Sequence, residues 1–200
     1  MRQKEKSIRH FDRSAAEYDS SFDGRFVKVM YQPLLEEIEK EEGGKLLDVG
    51  CGNGNILYRL VNGRRELYGI DLSKNMVEES RKRLKGDADI KAADAEHIPY
   101  NDDTFDILIC NASFHHYPHP QKVLMEMKRV LKNGGKLLIG EEYMIQPFRA
   151  LMNFSFHFSN SGDFRIYDKH ELVKMLKVNG FEISEVKRTS SSTILYIAAA

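Results

Sequence analysis

A glycine-rich segment, Asp48-Val-Gly-Cys-Gly-Asn-Gly54, constrains the fold of this chain more than any other feature of its sequence. It follows Lys45-Leu-Leu-Asp-Val49, whose length and apolar composition are those of a buried strand. Four apolar residues then share one helical face, namely Ile56, Leu57, Leu60 and Val61. Glycines at such a strand-to-helix turn permit a tight backbone and let it approach a ligand closely. The sequence therefore predicts an α/β sheet with a ligand-binding turn after its first strand.

The rest of the chain alternates short apolar runs with longer amphipathic periods, which is the pattern of an α/β protein. Further strands are predicted over 66–71, 88–93, 105–110 and 136–140, with helices between them. The helix before the last of these is predicted to end at Asn133-Gly134-Gly135. Two closing strands, 181–186 and 193–198, follow each other without a helix and should pair antiparallel. We expect a Rossmann-like doubly wound sheet, mostly parallel with an antiparallel C-terminal hairpin, and helices on both faces.

Composition and charge exclude several classes of function. The 200 residues include 30 Lys plus Arg and 30 Asp plus Glu, whereas a dedicated nucleic-acid binder carries a large basic excess. No apolar run approaches the ~18 residues of a spanning helix, and the charged start lacks the apolar stretch of a secretory signal. Cys51 and Cys110 have no metal-ligand spacing and are interpreted as reduced thiols. We therefore expect a cytoplasmic protein with no metal, no membrane span and no nucleic-acid partner.

Two acidic residues indicate which ligand the glycine turn accepts. Asp71 lies 21 residues after Gly50, at the end of the second predicted strand, where it can accept hydrogen bonds from ribose hydroxyls. A dinucleotide-binding turn reads G-x-G-x-x-G, but here the third glycine, Gly54, comes one residue early. Asp48 would repel a phosphate but suits an ammonium or sulfonium group. S-adenosylmethionine carries both of these groups and no phosphate, so the residues favour it over a dinucleotide.

The glycine turn resembles the first motif of the class I S-adenosylmethionine-dependent methyltransferases. Other segments that resemble motifs of this family are Tyr68–Ser73, Ala93–Tyr100 with Asp103–Asp106, Asn111–His116 and Lys128–Gly135. The similarity is greatest to the branch that includes the ubiquinone and menaquinone C-methyltransferases, of which the N-terminal segment Phe11–Asp19 is also typical. The resemblance covers residues 8–140 well and the remainder in outline.

The resemblance implies S-adenosylmethionine as the cofactor, S-adenosylhomocysteine as the product, and a role for each matching residue. The residues expected to bind the cofactor are Tyr18, Asp48, Gly50, Cys51, Gly52, Gly54, Asp71, Leu72, Asp94, Ala95 and Asn111. Among them, Asp48 should lie near the amino group, Asp71 at the ribose and Asp94 at the adenine amine. Leu72 and Ala95 should also contact the adenine, Asn111 should lie beside the reacting methyl, and Tyr18 should close over the cofactor. Asp71 could instead cap a helix, Asp94 could be an ordinary turn residue, and Tyr18 could be ordinary helix packing.

Histidines follow the fourth predicted strand, where the family places its substrate. His115 and His116 are the candidate catalytic residues, with His119 close behind them. A histidine titrates near neutrality and can take a proton, although a base is needed only if the acceptor must lose one. The alternative is that one of the pair packs structurally and the other faces solvent.

We divide the chain, as a single methyltransferase domain, into an N-terminal helical cap (1–43), a cofactor-binding core (44–140), a substrate lid (146–167) and a closing helix with strands (168–200). The lid segment holds five phenylalanines, Phe148, Phe154, Phe156, Phe158 and Phe164, whose spacing suits neither one helix face nor a secure strand. They fit either an ordinary core or a mobile pocket wall. As a pocket wall they would favour a small, partly apolar methyl acceptor over a polymer.

Three other functions stay open on the sequence alone. A methyltransferase acting on RNA or protein would use a basic face formed by Arg59, Arg64, Arg65, Arg81, Lys82, Arg83 and Lys85. Neighbouring glutamates make a solvated helix surface the simpler interpretation of these charges. The second is a module that binds S-adenosylmethionine without catalysis, and the third is an NAD-dependent dehydrogenase.

Overall fold

A computed structural model describes residues 2–159 and 161–200 of the chain. The helices are α1 (Arg2–Ser14), α2 (Phe22–Ile38), α3 (Asn55–Arg59), α4 (Lys74–Leu84), α5 (Pro120–Val130), α6 (Phe148–Phe156) and α7 (Lys169–Val178). The strands are β1 (Lys45–Val49), β2 (Glu66–Asp71), β3 (Ala88–Ala92), β4 (Phe105–Asn111), β5 (Leu131–Glu142), β6 (Glu182–Arg188) and β7 (Thr193–Ala199). Short 3-10 turns are formed by Ala15–Ser20 and Phe114–His116.

All seven strands form one sheet in the order β3-β2-β1-β4-β5-β7-β6. Strands β1 to β5 run parallel, and β7 pairs antiparallel with both β5 and β6. This confirms the predicted doubly wound sheet with its antiparallel C-terminal hairpin. Strands β2 and β3 lie on one side of β1 in the sheet, and the chain then crosses to the other side of β1 to form β4. In such sheets a ligand crevice opens at this switch point, beyond the carboxyl ends of the strands.

The sheet is covered on both faces, because successive strand residues point to opposite sides. Leu46 packs into one core and Leu47, the next residue, into the other. The first core takes side chains of α2, α3 and α4, and the second takes side chains of α5 and α7. Strand β4 is buried almost throughout, which explains its nearly continuous apolar run.

Strands β1 and β2, which position the glycine turn, begin and end where the sequence predicts. Helix α4 has the predicted N-cap, Ser73, whose Oγ accepts from Met76 N at 3.1 Å. The end of α5 differs from the prediction. The helix stops at Val130, and Leu131 takes an extended backbone with φ −82° and ψ 135°. Leu131 pairs with Phe105 of β4 and is 1% exposed. Its burial in the sheet therefore overrides the helical periodicity that extends towards Gly134.

The phenylalanine-rich segment forms α6 in its first half, although its spacing suggests no single helix face. None of the residues of α6 is buried, and Phe148 and Phe154 are more than 60% exposed. These aromatic side chains are therefore not part of the core. Within residues 2–159 and 161–200, no helix combines the length and the apolar character that crossing a bilayer requires.

Candidate active site

A cavity, here called the first cavity, opens at the switch point between β1 and β4. It lies beyond the ends of β1, β2 and β4 and is bordered on its outer side by α1. The predicted cofactor residues that line it are Tyr18, Asp48, Gly50, Cys51, Gly52, Asp71, Leu72, Asp94, Ala95 and Asn111. The fold thus brings together at one site ten residues that are spread over more than ninety positions of sequence.

The glycine turn needs glycines at two of these positions for different reasons. Gly50 has φ +79°, and a Cβ there would lie 1.9 Å from Ser113 Oγ. Gly52 has φ +52°, and a Cβ there would meet no atom within 4 Å because it would extend into open space. The turn is held to β2 because the N–H groups of Gly50 and Cys51 both donate to Ile70 O, at 2.9 and 3.0 Å. A ligand can therefore approach the backbone of this turn closely.

Gly54, which is also predicted to bind the cofactor, is not among the residues that line the first cavity. It has φ +77° and precedes α3, and a Cβ there would lie 2.5 Å from Ser80 Oγ and 3.1 Å from Leu84 Cδ1. Although its neighbours Asn53 and Asn55 line the cavity, Gly54 itself lies against Ser80 and lets the turn pack on α4. This packing is sufficient to explain the glycine, and its contact with a cofactor stays a prediction.

Asp71 is anchored by the turn that it faces. Its Oδ2 accepts from Gly52 N and its Oδ1 accepts from Ser73 N, both at 2.8 Å. Burial raises the pKa of Asp71 to about 6, against the opposing effect of these backbone hydrogen bonds. A carboxylate oxygen can accept more than one hydrogen bond. Asp71 can therefore organise the backbone locally and still accept ribose hydroxyls, so the two interpretations of its role are compatible.

Asp48 is the most unusual acid in the protein. It is 2% exposed, and its Oδ1 has no hydrogen-bond partner within the described residues. Burial, together with the charge of Asp71, raises the pKa of Asp48 to about 8. A buried carboxylate without a partner is costly, and a cation placed against it removes much of that cost. The first cavity is therefore suited to a positively charged ligand.

Asp94, the predicted adenine contact, is already engaged. Its Oδ2 lies 2.5 Å from Lys4 Nζ, and its Oδ1 accepts from Glu96 N at 3.0 Å. Lys4 also lies 2.7 Å from Glu96 Oε1, so one lysine of α1 bridges both carboxylates. Lys4 itself lines the cavity, which the sequence did not indicate because its partners are ninety residues away. An adenine amine at Asp94 would have to share this carboxylate with Lys4.

A hydrogen-bond network attaches the 3-10 turn that carries Tyr18 to the glycine turn. Asp19 Oδ1 accepts from Asn53 Nδ2 at 2.9 Å and from Asn55 Nδ2 at 2.6 Å, and its Oδ2 pairs with Arg83 at 2.7 Å. Although burial opposes it, these donors lower the pKa of Asp19 to about 2. The network holds Tyr18 over the cavity. Sequence reasoning missed it, although two amides on either side of Gly54 are a signal that could have been used.

Cys51 and Asn111 border the cavity from the ends of β1 and β4. Burial raises the pKa of the Cys51 thiol well above its usual value, so it is an inert packing thiol under neutral conditions. Both cysteines are buried and free, in agreement with the sequence interpretation. Asn111 is 8% exposed, and its Oδ1 has no partner among the residues that the structure describes. It is a second polar atom that a ligand could satisfy.

A second cavity adjoins the first and contains the predicted catalytic residues. Its lining residues are Phe11, Tyr18, Phe22, Asp23, Phe26, Val27, Ala112, His115, His116, Glu142, Tyr143, Met144, Met152, Phe156, Asp163 and Ser192. Five of them also line the first cavity, namely Phe11, Tyr18, Val27, Ala112 and His116. The two cavities therefore adjoin along these five side chains, here called the shared wall. His119 lines neither cavity and instead bonds Glu96 at 2.8 Å.

The surroundings of the two histidines shift their pKa values in opposite directions. His115 Nδ1 lies 2.8 Å from Glu141 Oε2, and its Nε2 lies 3.5 Å from Asp163 Oδ1. Burial alone would lower the pKa of His115, but the carboxylates of Glu141 and Asp163 raise it well above its usual value. Burial and the neighbouring His115 charge lower the pKa of His116 to about 3, against smaller effects of Asp163 and the Gly162 carbonyl. Neither histidine in this state is a ready proton acceptor at neutral pH.

Comparisons with known proteins agree with this geometry. The family model described as "Methyltransferase domain" matches residues 47–139. A demethylmenaquinone methyltransferase of Thermotoga maritima is 30% identical over 214 aligned positions, covering 90% of this chain and 90% of that protein. A demethylmenaquinone methyltransferase of a Geobacillus species is 32% identical over 163 positions, covering 77% of this chain and 68% of that protein.

A solved structure shows the same fold at lower sequence identity. It is a SAM-dependent methyltransferase from Thermotoga maritima, which superimposes with a TM-score of 0.72 and 21% identity. The superposition covers 96% of this chain and 98% of that one. The whole sheet and its flanking helices, including the elements around both cavities, therefore follow an arrangement seen in solved proteins.

Proposed function

The chain belongs to the class I S-adenosylmethionine-dependent methyltransferases, near the branch of the quinone C-methyltransferases, and we propose that it methylates a small molecule. The observation that carries the cofactor assignment is Asp48, a buried carboxyl whose Oδ1 has no partner among the described residues, in a cavity that also contains Asp71. These two acids favour a cationic ligand with a ribose over a ligand with a pyrophosphate.

The residues of the first cavity fit S-adenosylmethionine. Asp48 would face its positively charged groups, and Asp71 would accept from its ribose hydroxyls. Leu72 and Ala95 would flank the adenine, and Asp94 would share its carboxylate between the adenine amine and Lys4. When bound, the cofactor supplies a methyl group that is already activated on a sulfonium sulfur.

The protein's own contribution is to position the acceptor and exclude water. Phe11 and Tyr18 pack against each other with ring centroids 6.2 Å apart, and both line the first and second cavities. His116 packs edge-on against Phe11 with centroids 5.0 Å apart. The acceptor would lie in the second cavity and reach between the side chains of this shared wall, so that its nucleophilic atom contacts the methyl group. Methyl transfer would then occur between two chambers, with little solvent between them.

The lining of the second cavity supports a small, partly apolar acceptor. Its walls include Phe22, Phe26, Met144, Met152 and Phe156, which leave room for an apolar ring or chain. The two relatives named above as demethylmenaquinone methyltransferases act, by their names, on a quinone precursor. That class of acceptor is consistent with these walls. A polymer acceptor on RNA or protein is the second candidate, but the basic residues named above do not border either cavity.

The division of the chain into cap, core, lid and closing segment remains part of this proposal. The cap is supported by α1, which contributes to the first cavity and donates from Gln3 Nε2 to Gly162 O at 2.9 Å. The lid is supported by Met152 and Phe156 of α6, which line the second cavity although neither is buried. A cytoplasmic location is likewise proposed, and two free cysteines are consistent with it.

Calorimetry with S-adenosylhomocysteine and with NAD tests the cofactor, and a panel of small phenols, quinols and amines with labelled S-adenosylmethionine tests the acceptor. We expect S-adenosylhomocysteine to bind, NAD not to bind, and label to appear in a small acceptor. Binding of NAD alone would overturn the cofactor assignment. Transfer only to RNA or protein, with salt-dependent binding, would support the second candidate instead.

A further inference from the structure

Three side chains in the wall of the second cavity converge on one point. The ligand atoms of His115, His116 and Asp163 all lie within 4.8 Å of one another. His115 Nε2 is 3.5 Å and His116 Nδ1 is 3.4 Å from the same oxygen, Asp163 Oδ1. These distances are long for N–H···O hydrogen bonds. They match the separation of about 3.4 Å between ligands that each lie about 2.0–2.1 Å from a tetrahedral metal ion.

The surroundings of His115 are those of a metal-binding histidine. Metal-binding histidines usually donate their other ring N–H to a carboxylate, which fixes the tautomer and the ring orientation. His115 Nδ1 meets Glu141 Oε2 at 2.8 Å, so its Nε2 is the nitrogen turned towards Asp163. Glu141 is 4% exposed, and its other oxygen accepts from Phe114 N at 2.9 Å. The Glu141 carboxylate that orients His115 is therefore itself fixed.

Asp163 is held in place in a similar way. The N–H groups of Phe164 and Arg165 donate to His115 O at 2.9 and 3.0 Å, which fixes this segment beside the histidine. Asp163 Oδ2 accepts from Ser161 Oγ at 2.6 Å, leaving Oδ1 for the cluster. The carboxylate is therefore oriented with one oxygen towards both histidines.

His116 supplies a separate observation. Its side chain is 11% exposed, and its Nδ1 is buried with no hydrogen-bond partner among residues 2–159 and 161–200. A buried ring nitrogen without a partner is uncommon and calls for an explanation. This nitrogen lies 3.4 Å from Asp163 Oδ1, the oxygen that His115 also approaches. An ion between the three atoms would satisfy all of them together.

We infer that His115, His116 and Asp163 bind one divalent transition-metal ion of the Zn²⁺ class, with a fourth position open to the second cavity. Two imidazoles and one carboxylate suit such an ion better than Mg²⁺ or Ca²⁺, which prefer oxygen ligands. The inference rests on the proposed function, because the ion would hold the acceptor. The sequence did not indicate the site, since Asp163 lies 47 residues after His116.

The open position suits an acceptor with a hydroxyl or thiol group, whose pKa a bound divalent ion lowers. The acceptor's proton would pass to solvent, and its oxygen or sulfur would bond to the methyl carbon. The carbon–sulfur bond of the cofactor would break, with its electron pair remaining on sulfur. The histidines would then act as ligands and would not need to accept a proton.

Metal binding to the full chain tests this directly. The protein is stripped with a chelator and titrated at pH 7.5 with Zn²⁺ by calorimetry and with Co²⁺ by visible absorption. We expect one equivalent to bind, and the Co²⁺ protein to show the strong visible bands of a four- or five-coordinate ion. Asp163→Asn and His116→Gln should each weaken binding at least about tenfold. His97→Gln, which changes an exposed histidine outside both cavities, should leave binding unchanged.

Two results would overturn the inference. One is the absence of stoichiometric binding and of Co²⁺ bands in the folded wild-type protein, in which case the cluster holds only a proton on His115. The other is undiminished binding by both variants. Thermal melting and S-adenosylhomocysteine binding of Asp163→Asn confirm that the variant is folded. If the stripped wild-type protein binds S-adenosylhomocysteine but no metal, the inference fails and the proposed function stands. If it binds metal but not S-adenosylhomocysteine, the proposed function fails instead.

Discussion

Replacing Asp48 with Asn should stabilise the protein without ligand and weaken its binding of the cofactor product. Asp48 is 2% exposed, and burial together with Asp71 raises its pKa to about 8. In an unfolded chain an aspartate has a pKa of about 3.9. Between these pH values the folded protein holds a proton that the unfolded chain has released. The free energy of unfolding therefore falls as the pH rises through this window.

The size of the effect follows from the same shift. Each pH unit within the window costs about 1.4 kcal/mol, so between pH 4 and pH 7 the wild-type protein loses about 4 kcal/mol through this carboxyl. Asparagine has the shape of the protonated acid and does not ionise, so Asp48→Asn should retain this stability at pH 7. About 4 kcal/mol is an upper bound, because the new amide N–H needs an acceptor. Below pH 4 the two proteins should be equally stable.

Ligand binding should reverse the advantage. S-adenosylhomocysteine retains an ammonium group, which favours the ionised form of Asp48. Binding at pH 7 should therefore release protons, which calorimetry detects as a dependence of the binding enthalpy on the ionisation enthalpy of the buffer. Asp48→Asn should remove most of this release. It should also weaken binding by about tenfold or more, because a charge-assisted hydrogen bond contributes about 1.5–3 kcal/mol.

Urea unfolding from pH 4 to pH 8 measures the stability, and Asp87→Asn is the matched control because it changes an exposed carboxyl between α4 and β3. The control should change neither the slope of stability with pH nor the proton release. The reasoning is refuted if Asp48→Asn is no more stable than the wild-type protein at pH 7. It is also refuted if the variant releases as many protons as the wild-type protein on binding.

Three further substitutions test other parts of the two cavities. Asp71→Ala should weaken S-adenosylhomocysteine binding at least about tenfold, or about 1.4 kcal/mol, and unchanged affinity in calorimetry would contradict its ribose role. Gly54→Ala should lower the free energy of unfolding more than Gly63→Ala does, because both have positive φ but only the first new methyl meets a neighbour, at 2.5 Å. Equal losses in urea unfolding would argue against that packing role. Phe156→Ala should raise the KM of a small acceptor without changing the Kd of S-adenosylhomocysteine, and a weaker Kd would instead connect Phe156 to the first cavity.

The part of the site that the sequence predicted is the part built from local signals. A strand, a glycine turn and an acid at the end of the next strand lie within 27 residues, from Lys45 to Asp71. In a parallel sheet the carboxyl ends of such strands meet at one edge, so their residues converge whatever the rest of the chain does. The structure brings Asp48 and Asp71 to one cavity for this reason. At Gly54 the sequence shows that a glycine is needed, but not that Ser80 and Leu84 of α4 are the neighbours that require it.

The rest of the two cavities depends on contacts between distant segments, which carry no local signal. Lys4 meets Asp94 across 90 residues, and Asp163 meets His116 across 47. Neither pair has a spacing that periodicity could reveal, because each lies on separate elements joined only by tertiary packing. The same holds for Glu141, which lies one residue beyond the strand predicted over 136–140. The histidines were therefore found from sequence, but the carboxylates that decide their charge were not.

Although the chain has equal numbers of acidic and basic residues, the two kinds of charge lie in different places, and this bears on turnover. Asp48 and Asp71 face the first cavity, whereas Arg81 and Lys82 lie exposed on α4. Asp71, with a pKa of about 6, is mostly ionised at pH 7, and Asp48 ionises when a cation binds beside it, so the cavity favours a cationic ligand. Methyl transfer removes the sulfonium charge from the cofactor, so the attraction of these carboxylates falls once the reaction has occurred. We therefore expect these acids to hold S-adenosylhomocysteine less tightly than S-adenosylmethionine, which assists product release without any movement of the fold.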